Sequence, residues 1–241
     1  VKPLLALAFM IATALPAHSG CRQALALGLD VSGSVDAQEY QLQLQGLAGA
    51  LQHDEVQSVL LAMPSHPVRL AVFEWSGPDD QRVLLPWTEV VDPASLTAIT
   101  RSLSTTQRTQ MDPSTALGSA KQFGAALLDH HPECWKRTLD LSGDGFSNTG
   151  PLPRDVKMPG GQTVNALVIG SDDAPQGDTR QTDIAALSSY FHAWVIEGPD
   201  AFVETALGFA DFERAMVRKL KRELQGLSLA TGPAAPITRN H

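Results

Sequence analysis

Short apolar runs alternate along this chain with longer segments in which apolar residues return every three or four positions. The runs predict strands at Ala24–Asp30, Val68–Trp75, Arg82–Trp87, Arg137–Ser142, Val164–Gly170 and Ala193–Glu197. The longer segments predict helices at Ala37–Leu51, Pro93–Leu103, Thr115–His130, Asp183–Tyr190 and Ala201–Leu224. Tyr40, Leu44, Leu47 and Leu51 fall on one helical face, as do Phe209, Phe212, Met216 and Leu220. Strand-then-helix alternation implies a mostly parallel sheet covered on both faces. Only "SGPDDQ" separates the second and third strands, so these form a hairpin and one edge strand is antiparallel.

The expected architecture is therefore a Rossmann-like, doubly wound α/β domain with six strands. Its limits are set by the two ends of the chain. Residues 1–20, "VKPLLALAFMIATALPAHSG", carry one early lysine, an apolar stretch and then small residues, the pattern of a secretory signal peptide. The apolar part is too short to span a bilayer comfortably. Residues 226–241 are small, polar and proline-containing and read as a flexible tail. One domain over 21–225 remains, large enough for a substantial core. The expected location is periplasmic or secreted. Cys21 directly follows the leader, but His18 stands where a lipoprotein signal has a large apolar residue, so lipidation is not expected. Cys21 and Cys134 are the only two cysteines, and an exported protein can join them. The net charge of −8 argues against nucleic acid as the main partner.

The first strand ends abruptly in an aspartate, in "LDVSGSVD" (29–36). Ligands of an open parallel sheet bind beyond the carboxyl ends of its strands. Asp30 stands at such an end, and so does Asp144 in "TLDLSGDG" (138–145). Thr115, in "DPSTALGSA", opens a predicted helix. Asp30, Ser32, Ser34, Thr115 and Asp144 would then supply five oxygen donors from three loops on one rim. Hard oxygen donors without Cys or His suit Mg²⁺, Mn²⁺ or Ca²⁺ rather than Zn²⁺. With only two carboxylates in the set, such an ion keeps residual positive charge, and an acidic group of a partner could complete its shell.

These residues carry a resemblance. "DVSGS", "STALGSA" and "LSGDG" together resemble the metal-ion-dependent adhesion site (MIDAS) of von Willebrand factor A-type domains. More narrowly, "CRQALALGLDVSGSVDAQEYQLQLQGLA", "CWKRTLDLSGDGFSNTG" and "VIEGPDAFV" resemble an uncharacterised family of exported bacterial single-domain A-type proteins. The resemblance implies direct metal ligation by Ser32, Ser34 and Thr115, with Asp30 and Asp144 acting directly or through water. Thr109, in "QRTQ", is a rival for the threonine. In the A-type sheet strands one and four are parallel neighbours. Cys21 lies nine residues before Asp30 and Cys134 ten before Asp144, so that arrangement would bring the cysteines together at the opposite rim. The implied function is a non-catalytic module that binds a carboxylate of a protein or peptide ligand through a divalent cation.

Plainer readings compete. Asp30, Ser32 and Ser34 could cap the helix beginning near Asp36. Asp144 could be a turn residue before Gly145. "DLSGDG" begins like a calcium loop, but its twelfth position is Pro151 rather than Glu. The serines lack a Gly-x-Ser-x-Gly context and an evident histidine partner, so the enzyme alternative is a metal-dependent hydrolase or phosphatase built on Asp30. His130 and His131 read as a helix end, and the acidic loop around Asp172 and Asp173 as solvated surface. The four tryptophans read as core or edge packing.

Overall fold

A computed structural model describes residues 20–170 and 178–229. Residues 1–19 of the expected signal peptide, residues 230–241 of the expected tail and residues 171–177, with Asp172 and Asp173, lie outside them. The elements are β1 (Gln23–Asp30), α1 (Ala37–Gln52), α2 (Asp54–Leu60), β2 (Val68–Trp75), β3 (Gln81–Val90), α3 (Pro93–Ser104), α4 (Leu117–Leu128), β4 (Lys136–Gly143), β5 (Gln162–Ile169), α5 (Asp178–Trp194), β6 (Val203–Ala206) and α6 (Phe212–Leu229). They form one six-stranded sheet in the order β3-β2-β1-β4-β5-β6. The β2–β3 pair is antiparallel and every other pair parallel. The expected α/β class, with its single antiparallel edge strand, is the fold observed.

All eight residues of β1 are buried, as a central strand covered on both faces requires. Leu25, Leu27 and Leu29 face a core shared with Leu44 and Leu47 of α1 and Phe212 and Leu220 of α6. Ala24 and Ala26 face the other way, toward Leu117 and Ala120 of α4 and Phe191 of α5. At Gly28 a Cβ would lie 2.6 Å from the Phe73 ring and 2.7 Å from Leu141. Only glycine lets these side chains of β2 and β4 close over the middle of β1.

β1 and β4 are locked in register. Gln23 pairs with Lys136, and the same offset of 113 residues separates Cys21 from Cys134. The two cysteines form a disulfide at the amino end of the strand pair, their Cα atoms 4.4 Å apart. In the chain-entropy account a loop this long stabilises the fold by about 4–5 kcal/mol.

The C-terminal third departs from expectation. Ala193–Glu197 is not a strand: Ala193 and Trp194 close α5, and Glu197 makes only an isolated antiparallel bridge to Val164. The sixth strand is Val203–Ala206, inside the segment expected to be helical, and α6 starts only at Phe212 after a 3₁₀ turn at Phe209–Asp211. Gly198 and Asp200 both take positive φ (98° and 56°), a reversal that neither a strand nor a helix tolerates. α6 then runs to Leu229, into the segment expected to be tail. α2 was not foreseen; only Val56 and Leu60 of its seven residues are buried. α4 stops at Leu128, short of His130 and His131. Trp75 is fully buried, whereas Trp135 is 50% exposed and lies against His66, with ring centroids 4.7 Å apart.

Candidate metal centre

The helix-cap reading of "LDVSGSVD" fails on one observation. α1 is capped by Asp36, whose carboxylate accepts from the Gln38 and Glu39 amides at 2.7 and 2.8 Å while the Glu39 side chain returns to the Asp36 amide at 2.8 Å. This capping box occupies the helix end. Asp30, Ser32 and Ser34 are left for something else.

Asp30 is the last residue of β1 and is fully buried. Its Oδ1 accepts from the Ser32 amide at 2.8 Å, and its Oδ2 has no hydrogen-bond partner. The Ser32 and Ser34 hydroxyls are 3.3 Å apart, and Ser34 donates to Asp144 Oδ1 at 2.7 Å. Asp144 follows the end of β4, the neighbour of β1. A Cβ on Gly143 would lie 3.2 Å from Asp30 Oδ2, which shows how closely the two strand ends approach. Asp30, Ser32, Ser34 and Asp144 thus form one cluster.

The loop carrying Thr115 is bound to the same rim through backbone groups. The Gly33 amide donates to Pro113 O at 2.8 Å, and the Ala116 amide to Ser76 O at 2.8 Å. The Thr115 amide donates to Asn148 Oδ1, and the Asn148 amide donates back to Thr115 O, both at 2.9 Å. Ser147 Oγ donates to the same carbonyl at 3.2 Å. Thr115 Oγ1 lies 4.0 Å from the place a Cβ on Gly145 would take, one residue beyond Asp144. Thr109 is exposed, and its hydroxyl donates to Glu74 Oε1 at 3.4 Å instead. Thr115 lies two residues before α4 rather than inside it; its carbonyl accepts from the Asn148 amide and Ser147 Oγ instead of from the helix.

Two supporting residues escaped the sequence reading. Asn148 clamps the Thr115 loop to the loop after β4. Gln43 of α1, fully buried, donates to Asp30 O at 3.0 Å and accepts from Ser142 Oγ at 2.9 Å, joining β1 and β4 just behind the two carboxylates. Gln43 carried a legible signal, a polar residue on the apolar stripe of Tyr40, Leu44 and Leu47. Asn148 carried none.

The electrostatics single out Asp30. Burial pushes its carboxyl up to about 7, and the nearby Asp144 charge adds to the rise. Burial also raises Asp144, against the pull of the Ser34 hydrogen bond. Among the described residues, the other buried carboxylates each have a basic partner: Glu74 has Arg82 at 2.7 Å, Asp140 has Lys219, and Glu223 has Lys219 at 3.7 Å. Asp30 has none. A buried carboxylate with one unsatisfied oxygen, a second acidic group and three hydroxyls is a donor set that fits a hard divalent cation.

Two other acidic groupings do not compete. Asp140, which a calcium loop would use, points beneath α6 to Lys219. His131, Glu133 and Cys134 lie together, but the Cys134 sulfur is in the disulfide and the Arg69 guanidinium already contacts both His131 and Glu133.

The described part of the chain shares its fold with several solved proteins. The pilus adhesin SpaC from Lactobacillus rhamnosus GG matches over 86% of this chain and 31% of its own, at 14% identity and TM-score 0.56. A von Willebrand factor type A protein from Catenulispora acidiphila matches over 85% of this chain and 43% of its own, at 16% identity and TM-score 0.52. Proximal thread matrix protein 1 from the mussel byssus, with a zinc-occupied MIDAS motif, matches over 86% of this chain and 46% of its own, at 14% identity and TM-score 0.51. The chain therefore spans a third to a half of the length of these proteins. None of the curated proteins matches it in sequence. The fold is that of a von Willebrand factor A-type domain, and with a family model matching residues 20–228 the chain belongs to the family described as proteins of unknown function, DUF1194.

Proposed function

We propose that this protein is an exported, non-catalytic binding module. In this reading Asp30, Ser32, Ser34, Thr115 and Asp144 hold a divalent cation, the all-oxygen set suiting Mg²⁺, Mn²⁺ or Ca²⁺. The ion supplies an electrophilic point at the rim that an Asp or Glu of a protein or peptide partner completes. The chain's own residues supply the rest. Asp30 and Asp144 provide the charge, Ser34 orients Asp144, and Gln43 and Asn148 hold the three loops together. The observation that carries the reading is Asp30, fully buried with a free Oδ2 and no basic partner among the described residues. The adhesin and the zinc-bearing byssus protein among the structural neighbours support a cation-dependent binding role. The disulfide suits an oxidising compartment. No described helix is long and apolar enough to cross a membrane.

The test is calorimetric titration of Mg²⁺, with Mn²⁺, Ca²⁺ and Zn²⁺ as comparisons, into the wild type and Asp30→Ala. Saturable binding to the wild type alone is expected. Equal affinity in both proteins removes the site. Cation-dependent hydrolysis of phosphate or carboxylate esters that disappears in Asp30→Asn would replace this reading with the hydrolase.

A further inference from the structure

Asp144 belongs to a second surface as well as to the cation cluster. It lines a groove of about 180 Å³ between the end of β5 and α5. Phe146, Ile169, Gly170 and, from α5, Ile184 and Leu187 line it with Asp144. A Cβ on Gly170 would fall 2.5 Å from Ile184 Cδ1, so it is the missing side chain at the strand end that lets α5 approach so closely. Phe146, two residues beyond Asp144, is 53% exposed and is held edge-on against Tyr190, with ring centroids 5.0 Å apart. A single exposed Phe needs no explanation. Here, however, it borders an apolar recess lined by Asp144, whose Oδ1 accepts from Ser34 in the cluster that also holds Asp30. The recess is smaller than the roughly 300–1,000 Å³ of small-molecule pockets, and suits one side chain. Asp183, exposed on α5, adds negative charge at the mouth.

We infer that this groove receives the residue adjacent to the partner's metal-seeking carboxylate, so that the preferred ligand is a peptide with Asp or Glu next to a large aliphatic or aromatic residue. The inference rests on the cation reading above and names its ligand class. The two subsites share Asp144, so one short peptide can reach both. The carboxylate supplies the dependence on the ion, and the apolar neighbour supplies discrimination. Asp183 disfavours a second acidic residue at the neighbouring position, by like-charge repulsion.

The experiment uses capped, glycine-flanked peptides carrying Asp-Leu, Leu-Asp, Asp-Ser or Asp-Asp. Their affinities are measured by NMR titration in Mg²⁺ and in EDTA, on the wild type, Ile184→Ser, Phe146→Ser and Asp30→Ala. In Mg²⁺ the wild type is expected to bind one of the Leu peptides about tenfold tighter than Asp-Ser, the low end for burying such a side chain, and Asp-Asp no better than Asp-Ser. Ile184→Ser and Phe146→Ser should each bring the Leu and Ser peptides within about twofold of one another, with Mg²⁺ titration and thermal unfolding checking each variant. Equal binding of Leu and Ser peptides by the wild type overturns the groove assignment while leaving the cation site standing. So does a preference that survives both substitutions, a Leu-peptide affinity unchanged by EDTA, or no peptide binding at all. Failure of the wild type to bind Mg²⁺ removes the proposed function and this inference together.

Discussion

Two buried acidic sites lie on opposite faces of the β1–β4 strand pair, and they are solved in opposite ways. Beneath α6, Asp140 and Glu223 share the ammonium of Lys219, and Gln23 Nε2 donates to Thr138 Oγ1 at 3.0 Å and to Glu223 Oε1 at 3.1 Å. Burial lowers Lys219 to about 8 against the pull of Glu223, so it still carries charge at neutral pH. On the α4–α5 face, Asp30 and Asp144 come together with hydroxyls and no cation of their own. The first site carries its counter-charge within the chain, and the second has no basic partner among the described residues. Burial alone therefore does not separate the two carboxylates; the presence or absence of an internal basic partner does.

The largest way to break this contrast is to remove the internal cation. Lys219→Met leaves Asp140 and Glu223 buried and unpaired, and should cost about 3–5 kcal/mol, read by urea unfolding, while Mg²⁺ affinity changes little. A loss under about 1 kcal/mol would mean that the α6 site is no more compensated than the rim.

The rim should respond in the reverse sense. Asp30→Asn removes a buried charge, keeps an acceptor for the Ser32 amide, and should stabilise the metal-free protein by about 1–3 kcal/mol at pH 8 while abolishing Mg²⁺ binding. The pH dependence follows from the same raised carboxyl. Folded Asp30 holds its proton to about pH 7, whereas its ordinary value is 3.8. The folded state therefore binds more protons between those values. Its metal-free stability is fullest below about pH 4 and falls as pH rises through about 7. The raised Asp144 carboxyl acts in the same direction. Unfolding in EDTA across this range should show the loss in the wild type and a smaller one in Asp30→Asn, and saturating Mg²⁺ should offset it. A wild-type profile that is flat in EDTA would contradict the raised Asp30.

The smallest expected effect concerns the link between the strands. Gln43→Leu removes hydrogen bonds to Asp30 O and Ser142 Oγ and should cost about 1–2 kcal/mol. Mg²⁺ affinity should fall severalfold, because the ends of β1 and β4 lose their common anchor. Unaltered affinity would limit Gln43 to a purely structural role.

How much of this was legible in the chain varied with element length. Val68–Trp75 is observed with the ends expected, because eight residues buried on nearly every position leave no ambiguity. Val203–Ala206 was hidden: four residues with three only partly buried carry no alternation, and their strand state comes from pairing with β5. Ala193–Glu197 has the composition of a strand, yet its first residues complete a helix whose Phe191 is buried against the sheet. Tertiary packing overrode local propensity in both places.

The residues of the rim show the same division. Local sequence determined that β1 would end at Asp30, that Ser32 and Ser34 would follow it directly, and that α1 would begin after Asp36. Each of these depends on neighbours within a few positions. Only the tertiary structure decided that Asp144, more than a hundred residues away, would meet Ser34, that Asn148 would clamp Thr115, and that no lysine or arginine among the described residues would reach Asp30. A counter-charge is contributed or withheld by whichever distant side chain the fold brings near. That is why Asp140 and Asp30, both aspartates in buried strand runs, became a structural pair and a candidate cation site.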